Sequence, residues 1–298
     1  MPREGLNRVM RSALRTAAVV AAALALAHGG ASAQGTPGGT LDRIRASKTI
    51  RIAYRADAVP FSFRNSAGQP AGFMVDLCKA VAARVGQQLS IPSINLSYVL
   101  VTAADRFDAI RQGRADLLCE PTSATLARRE IVDFSTATYI DGAGLLVRGD
   151  GPRSFQGLAG QQIGVLAGTT TEEGLRNSLK AAGVTATIVP ATTHADGIAM
   201  LDAGKISAYF GDRGILQFLV LQSKDPGKLA LADQYFSVEP YALGLPRGDE
   251  NFRLAVDRAL SRIYRSGEIS ALFASTFGGN AAPSQILQTL YVIAAYPE

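Results

Sequence analysis

Two hydrophobic spacings alternate along residues 49–119. "TIRIAY" (49–54) is a short run rich in β-branched and aromatic residues, the pattern of a strand. "GFMVDLCKAVAARVG" (72–86) then sets Met74, Leu77, Cys78, Val81 and Val85 at helical intervals. "INLSYVLV" (94–101) reads as a strand, "AADRFDAIRQG" (103–113) as a short helix closed by Gly113, and "ADLLC" (115–119) as a buried strand. This β-α-β-α-β order predicts an α/β layer with ligands at the carboxyl ends of the strands. The alternation restarts with a strand in "QQIGVLA" (161–167), a helix in "TTTEEGLRNSLKAAG" (169–183) and a strand in "VTATIVP" (184–190). A helix in "HADGIAMLDAGK" (194–205), a strand in "SAYFGD" (207–212) and a helix from near Asp212 through "ILQFLVLQ" complete it. Two successive α/β units imply two lobes, each a sheet flanked by helices, although no strong sequence repeat relates them.

Between the units, "GAGLLVRGD" (142–150) and "EPYALGLPRGD" (239–249) both run apolar and end in Arg-Gly-Asp. They read as two extended hinge crossings, one leaving the first lobe and one returning; two ordinary surface turns are the alternative. The expected organisation is a first lobe over 41–145, a second over 146–242, and a return to the first over 243–298. "ENFRLAVDRALSRIYRSGEI" (250–269) predicts one helix with Phe252, Val256, Ala259 or Leu260, and Ile263 on the face packed against the first lobe. The apolar tail from residue 282 is expected along that lobe.

The first 33 residues change the meaning of the charge. Arg3, Arg8, Arg11 and Arg15 precede the apolar "AAVVAAALALA" (17–27), and "ASA" (31–33) supplies small residues before Gln34, the pattern of a cleaved export signal. Eleven apolar residues are too few to span a bilayer, for which about 20 are needed. No cysteine near the cut offers a lipid attachment. Four of 30 basic and one of 25 acidic residues leave with the segment, so the mature chain carries about +2. A role with nucleic acid or membrane surfaces loses its support, and a soluble periplasmic protein is expected. Cys78 and Cys119, the only cysteines, form an even count that favours one disulfide in an oxidising compartment. His194 is the only mature histidine, which argues against a metal site and limits nucleophilic catalysis to one candidate base.

Candidate chemistry gathers at strand ends. Arg55 follows the first strand, where an arginine is ordinarily a surface residue. Arg106 opens a helix, where its charge opposes the helix dipole. Thr169, Thr170 and Thr171 stand at a helix start that can bind a carboxylate through free N–H groups, and Thr170 with Glu173 has capping-box spacing. Asp212 stands where a strand yields to a helix and could simply cap it. "CEPTSATLARREIVDFS" (119–135) carries the strongest charge signal: Arg128 or Arg129 could grip a carboxylate bidentately beside the hydroxyls of Thr122 or Ser123.

Taken with "GTLDRIRASKTIRIAYRADAVPFSF", "AGFMVDLC", "LAGTTTEEGLR", "THADGIAMLDAGKISAYFGD" and "SVEPYALGLPRGDENFRLAVD", this stretch resembles the polar amino-acid-binding proteins of ABC importers, solute-binding protein family 3. Within them it is most similar to the glutamate/aspartate-binding branch, over nearly the whole mature chain. The resemblance implies a Venus-flytrap fold of two lobes that close on an L-amino acid and deliver it to an inner-membrane ABC permease. It implies that Arg128 and Ser123 hold the α-carboxylate with the turn Thr169–Thr171, and that Asp212 accepts the α-ammonium. Arg55, Arg106 and His194 would then surround a side-chain carboxylate, and Cys78 and Cys119 would pair. Ala103 stands where the branch has a serine, and Glu120-Pro121 where it has Gly-Ser. Pro121 keeps only its carbonyl as an acceptor for the α-ammonium. Glu120 is expected to face outward, because inward burial would need a partner; facing inward, it would favour a neutral or cationic side chain.

The implied ligand is glutamate or aspartate, with their amides behind, bound by a monomer without cofactor or metal. A periplasmic cyclohexadienyl (prephenate/arogenate) dehydratase on the same scaffold, using Glu120 or Glu173 with His194, is the enzymatic alternative. A ligand-sensing module for a membrane receptor is a third. The export reading makes one direct prediction: intact-mass analysis of protein secreted to the periplasm should give a chain starting at Gln34. A chain retaining residues 1–33 would contradict it.

Overall fold

The computed structural model describes residues 38–298, and the expected export signal, residues 1–33, lies outside them. Helix α1 (Thr40–Ser47) leads into β1 (Thr49–Arg55), followed by the short strands β2 (Asp57–Ala58), β3 (Ser62–Arg64) and β4 (Pro70–Ala71). Next come α2 (Phe73–Gln88), β5 (Asn95–Val101), α3 (Arg106–Arg111), β6 (Leu117–Leu118), α4 (Leu126–Arg129) and β7 (Asp133–Asp141). The middle of the chain forms β8 (Ala143–Arg148), β9 (Gln162–Leu166), α5 (Thr170–Ala181), β10 (Thr187–Ala191), α6 (His194–Asp202), β11 (Ala208–Asp212), α7 (Arg213–Leu219) and β12 (Leu229–Leu231). The remainder is β13 (Glu239–Leu245), α8 (Glu250–Arg265), α9 (Glu268–Phe277) and α10 (Gln285–Ile293).

Two five-stranded sheets form the two lobes. The first has the order β5-β1-β6-β13-β7, with β1 parallel to β5 and β6, and β13 antiparallel to β6 and β7. The second has the order β10-β9-β11-β8-β12, with β9 parallel to β10 and β11, and β8 antiparallel to β11 and β12. From Ile52 to Arg55 every residue of β1 is buried, so this part of the strand lacks a polar face, as expected of a parallel strand covered on both sides. The 3.6-residue spacing works as read in α2, which buries Met74, Leu77, Cys78, Val81 and Val85. It works equally in α8, which buries Phe252, Val256, Ala259, Leu260 and Ile263.

The differences are local. The single helix expected through residue 269 is two, α8 and α9, because Gly267 adopts φ 77°, a left-handed conformation that ends a helix. The buried strand expected over 115–119 narrows to Leu117–Leu118. Strand β7 extends well beyond "VDFS", to nine residues. The segments 142–150 and 239–249 run mostly as β8 and β13, inside opposite sheets. The passages between sheets lie just before each of them and touch: the Phe236 N–H donates to the Ala143 carbonyl at 2.9 Å, and the Ala143 N–H to Ser237 Oγ at 2.8 Å. Gly142 is required there, since a Cβ at that position would lie 2.1 Å from the Ser237 carbonyl oxygen.

A disulfide joins Cys78 on α2 to Cys119, directly after β6, across 41 positions of sequence. It clamps the end of the central strand to the helix beneath it and so fixes where residue 120 begins. Closing a loop of this length restricts the unfolded chain by about 2–4 kcal/mol. The double variant C78A/C119A should lose that much unfolding free energy in equilibrium denaturation; an unchanged midpoint would show that the bridge adds no stability.

Candidate ligand-binding site

Three strand and helix ends of the first lobe deliver charge to one place. Arg55 closes β1, Arg106 opens α3, and Glu120 follows the disulfide-anchored Cys119; all three are buried, at 3 %, 2 % and 0 % exposure. Glu120 therefore faces inward, contrary to expectation, and its partners are the two arginines. Its Oε1 lies 3.3 Å from Arg106 Nε and its Oε2 3.6 Å from Arg55 Nη1. Neither pair is aligned as a hydrogen bond, and both Glu120 oxygens and Arg106 Nε are without a hydrogen-bond partner. Burial pushes the Glu120 carboxyl up, while Arg106, Arg55 and Arg128 pull it back. Burial likewise brings Arg106 down to about 10, against the attraction of Glu120.

The remaining bonds of the arginines are committed elsewhere. Arg55 Nε donates to Asp57 Oδ1 at 3.0 Å, with its Nη2 at 2.8 Å from the same oxygen. Arg106 donates to the Ala103 carbonyl and, across the cleft, to the Gly168 carbonyl at 3.4 Å. Asp57 also reaches the second lobe, where its Oδ2 accepts from the backbone N–H of His194 at 3.3 Å. Burial would raise the Asp57 carboxyl, but Arg55 and His194 hold it below its usual range.

His194 opens α6, capped by Thr193, and is 2 % exposed. Its Nδ1 lies 3.1 Å from the Tyr209 hydroxyl and its Nε2 is without a partner. Burial and the nearby Arg55 charge push it down to about 3, so the ring is neutral at physiological pH. Gly197, one turn along α6, makes this pair possible, because a Cβ there would sit 2.2 Å from the Tyr209 ring.

A second group lies toward the passages between sheets. Residues 122–124 pair with β13: the Ala242 N–H donates to the Thr122 carbonyl at 3.1 Å, and the Ala124 N–H to the Pro240 carbonyl at 2.8 Å. That pairing holds Ser123, whose hydroxyl donates to Glu239 and lies 3.2 Å from Thr170 Oγ1 in the second lobe. Pro121 is buried in the same turn. Arg128 Nη1 donates to the Ser123 carbonyl at 2.8 Å, and the guanidinium lies 5.3 Å from the centre of the Phe107 ring. Arg129 is exposed and stands over Phe134 instead, which separates the two arginines that the residues alone left open.

In the second lobe, Thr169 rather than Thr170 caps α5, accepting from the Glu172 N–H at 3.2 Å. The acid of that cap is Glu172, which accepts from the Gly168 N–H at 2.9 Å; the expected Thr170–Glu173 box does not form. Thr170 Oγ1 is thereby free to donate to Glu239 Oε2 at 2.7 Å, while Thr171 is buried. Glu173 is exposed on α5, away from the charged cluster. Asp212 precedes α7 but makes no capping bond, and its Oδ1 is buried without a partner. Burial, with Glu239 and Asp141 nearby, pushes its carboxyl well above the usual range. Asp141 accepts from the N–H groups of Gly142 and Gly214 and from the Tyr241 hydroxyl, and burial raises it to about 6.

Asp57, Asp141, Tyr209, Glu239 and Tyr241 were not singled out from sequence. Asp57 had a usable signal, standing two residues past Arg55 in "AYRADAVPFS". The others lie in ordinary strand contexts, and only tertiary packing brings them together. Among the described residues, no group of three or more His, Cys, Asp or Glu is placed to hold a metal ion, and no helix is long and apolar enough to cross a membrane.

Two lobes with facing polar groups, joined by two touching passages, define the architecture of a solute-binding protein. Residues 50–279 match the bacterial extracellular solute-binding proteins, family 3, and the chain belongs to that family. It is 30% identical over 243 residues, 80% of each chain, to the L-glutamate/L-aspartate-binding protein of Pseudomonas aeruginosa. It is 26% identical over 277 residues, 92% of each chain, to the glutamate/aspartate import solute-binding protein of Escherichia coli. The fold is shared with an ABC uptake transporter substrate-binding protein from Streptococcus pneumoniae, solved with bound histidine, at TM-score 0.74 and 21% identity, covering 84% of this chain and 100% of that one.

Asp141 gives the site a measurable acid signature. A carboxyl raised in the folded state adds stability below its unfolded pKa, near 3.8, and loses it as pH rises through about 6. The stability difference between D141N and the parent should therefore shift in favour of the variant by about 3 kcal/mol between pH 3.5 and pH 7. A pH-independent difference in denaturant titrations would contradict the assignment.

Proposed function

We propose that this chain is a periplasmic binding protein that closes over one L-amino acid and delivers it to an inner-membrane ABC permease. The observation that carries the reading is the opposition of one guanidinium, Arg128, to a cluster of carboxylates at Asp212, Glu239 and Asp141, with Asp212 Oδ1 buried and unpartnered. Arg128, Ser123 and the N-terminal turn Thr169–Thr171 bind the ligand α-carboxylate, through charge-assisted bonds and free N–H groups. Asp212 accepts the α-ammonium, with the Pro121 carbonyl beside it. The ligand side chain extends toward Arg55, Arg106 and His194.

The two relatives named above support glutamate or aspartate as the ligand, and we extend the ligand class to their amides, which have the same length and shape. The word "import" in one relative's name supports delivery to a permease. We put the lobe boundaries at the passages near Gly142 and Ser237, a few residues before the expected 145/146 and 242/243, and closure turns on those passages. Ligand contacts made by both lobes stabilise the closed state, which is how binding drives a hinge. The protein acts as a monomer.

Isothermal titration with the twenty amino acids tests this, using protein unfolded and refolded to remove carried ligand. At least one should bind tightly and one-to-one, and R128A should weaken it by 100-fold or more. If no amino acid binds the refolded parent protein, the reading fails.

A further inference from the structure

If the ligand's α-groups are held as proposed above, its side chain meets a charge set that already contains its own anion. Arg55 and Arg106 contribute two positive charges; Asp57 and Glu120 contribute two negative ones; His194 is neutral. Arg128, from α4, and Asp212, at the end of β11, are the other charged groups that act on this cluster, and both are engaged at the ligand's α-end in that reading. Arg55, Arg106, Glu120 and His194 are all at most 3% exposed, so an added charge beside them is poorly screened.

The hydrogen-bonding capacity left over is mixed. Both oxygens of Glu120 are acceptors without a donor, and Arg106 Nε is a donor without an aligned acceptor. His194 Nε2 is unpartnered and, when the Tyr209 hydroxyl donates to Nδ1, carries a proton it can donate. A buried carboxylate present only to neutralise two arginines would be expected to hydrogen-bond them. Here Arg55 is turned to Asp57, and the Nη groups of Arg106 to two backbone carbonyls.

We propose that Glu120 sets ligand choice, admitting an α-amino acid with an uncharged carboxamide side chain and rejecting the carboxylate analogue. The amide NH2 donates to Glu120, and the amide oxygen accepts from Arg106 Nε or His194 Nε2. A side-chain carboxylate has no donor for Glu120 and places a third anion beside two. A cationic side chain satisfies Glu120 but adds a third cation beside Arg55 and Arg106. A pocket that hydrogen-bonds its substrate rejects close analogues strongly, because its buried polar groups would be left unpaired.

The test compares glutamine, asparagine, glutamate, aspartate, leucine and arginine by isothermal titration on the refolded parent protein and on E120Q. The parent should bind an amide at least tenfold more tightly than its acid. In E120Q the ratio should move toward the acid by at least tenfold, since one negative charge is gone. Tighter binding of glutamate or aspartate by the parent overturns the proposal but leaves an amino-acid-binding protein. So does a preference for leucine or arginine, or an amide-to-acid ratio that E120Q does not change. If E120Q does not fold, the parent's ratio alone decides. Absence of binding by any of these and the remaining amino acids overturns the underlying reading, and this proposal with it.

Discussion

Arg55 and Arg106 are removed from water at the carboxyl end of the first sheet, and Glu120 is the carboxylate that stands between them. Charge in such a place is costly unless it is paired, and deleting one member of a buried pair typically costs about 3–5 kcal/mol. Much of the surrounding architecture serves this arrangement. The disulfide fixes Cys119 and hence the residue that follows it; β1, paired along its length with β5, fixes Arg55. Asp57 then links the cluster to the second lobe through the backbone of His194. The electrostatics of this charged cluster and the contact between lobes are thus one network.

The other end of the cleft has the opposite character. Asp141, Asp212 and Glu239 crowd together near the passages between sheets, and burial holds Asp141 and Asp212 above their ordinary pKa. Carboxylates kept close to one another favour an arriving cation, and an ammonium group there would favour their ionised forms. Glu239 also joins Ser123 of the first lobe to Thr170 of the second, so the same acid touches both halves of the closing surface. In the proposed reading the hinge and the α-ammonium site are therefore built from neighbouring residues.

Most of the fold was legible because helical and strand periodicities are local properties. The faces of α2 and α8, the strand-end positions of Arg55 and Asp212, and the helix-start position of Arg106 follow directly from spacing. The failures have physical reasons of two kinds. Gly267 ends α8, and the Thr169 cap displaces the expected Thr170 one, because backbone conformation chose between neighbouring candidates of similar propensity. Glu120 was misplaced for a different reason. The rule that a buried carboxylate needs a partner was sound, but its partners are 65 and 14 positions away in sequence, where spacing carries no information. Glu239 and Tyr241 were invisible on the same grounds, since they matter only through the pairing of β13 with residues 122–124.

The most direct test of the claim that Glu120 neutralises the side-chain end of this cleft is the mass of the small molecule released from protein purified natively, without refolding. The account predicts one amino acid per chain, with a carboxamide side chain. Release of glutamate or aspartate at that stoichiometry would contradict it.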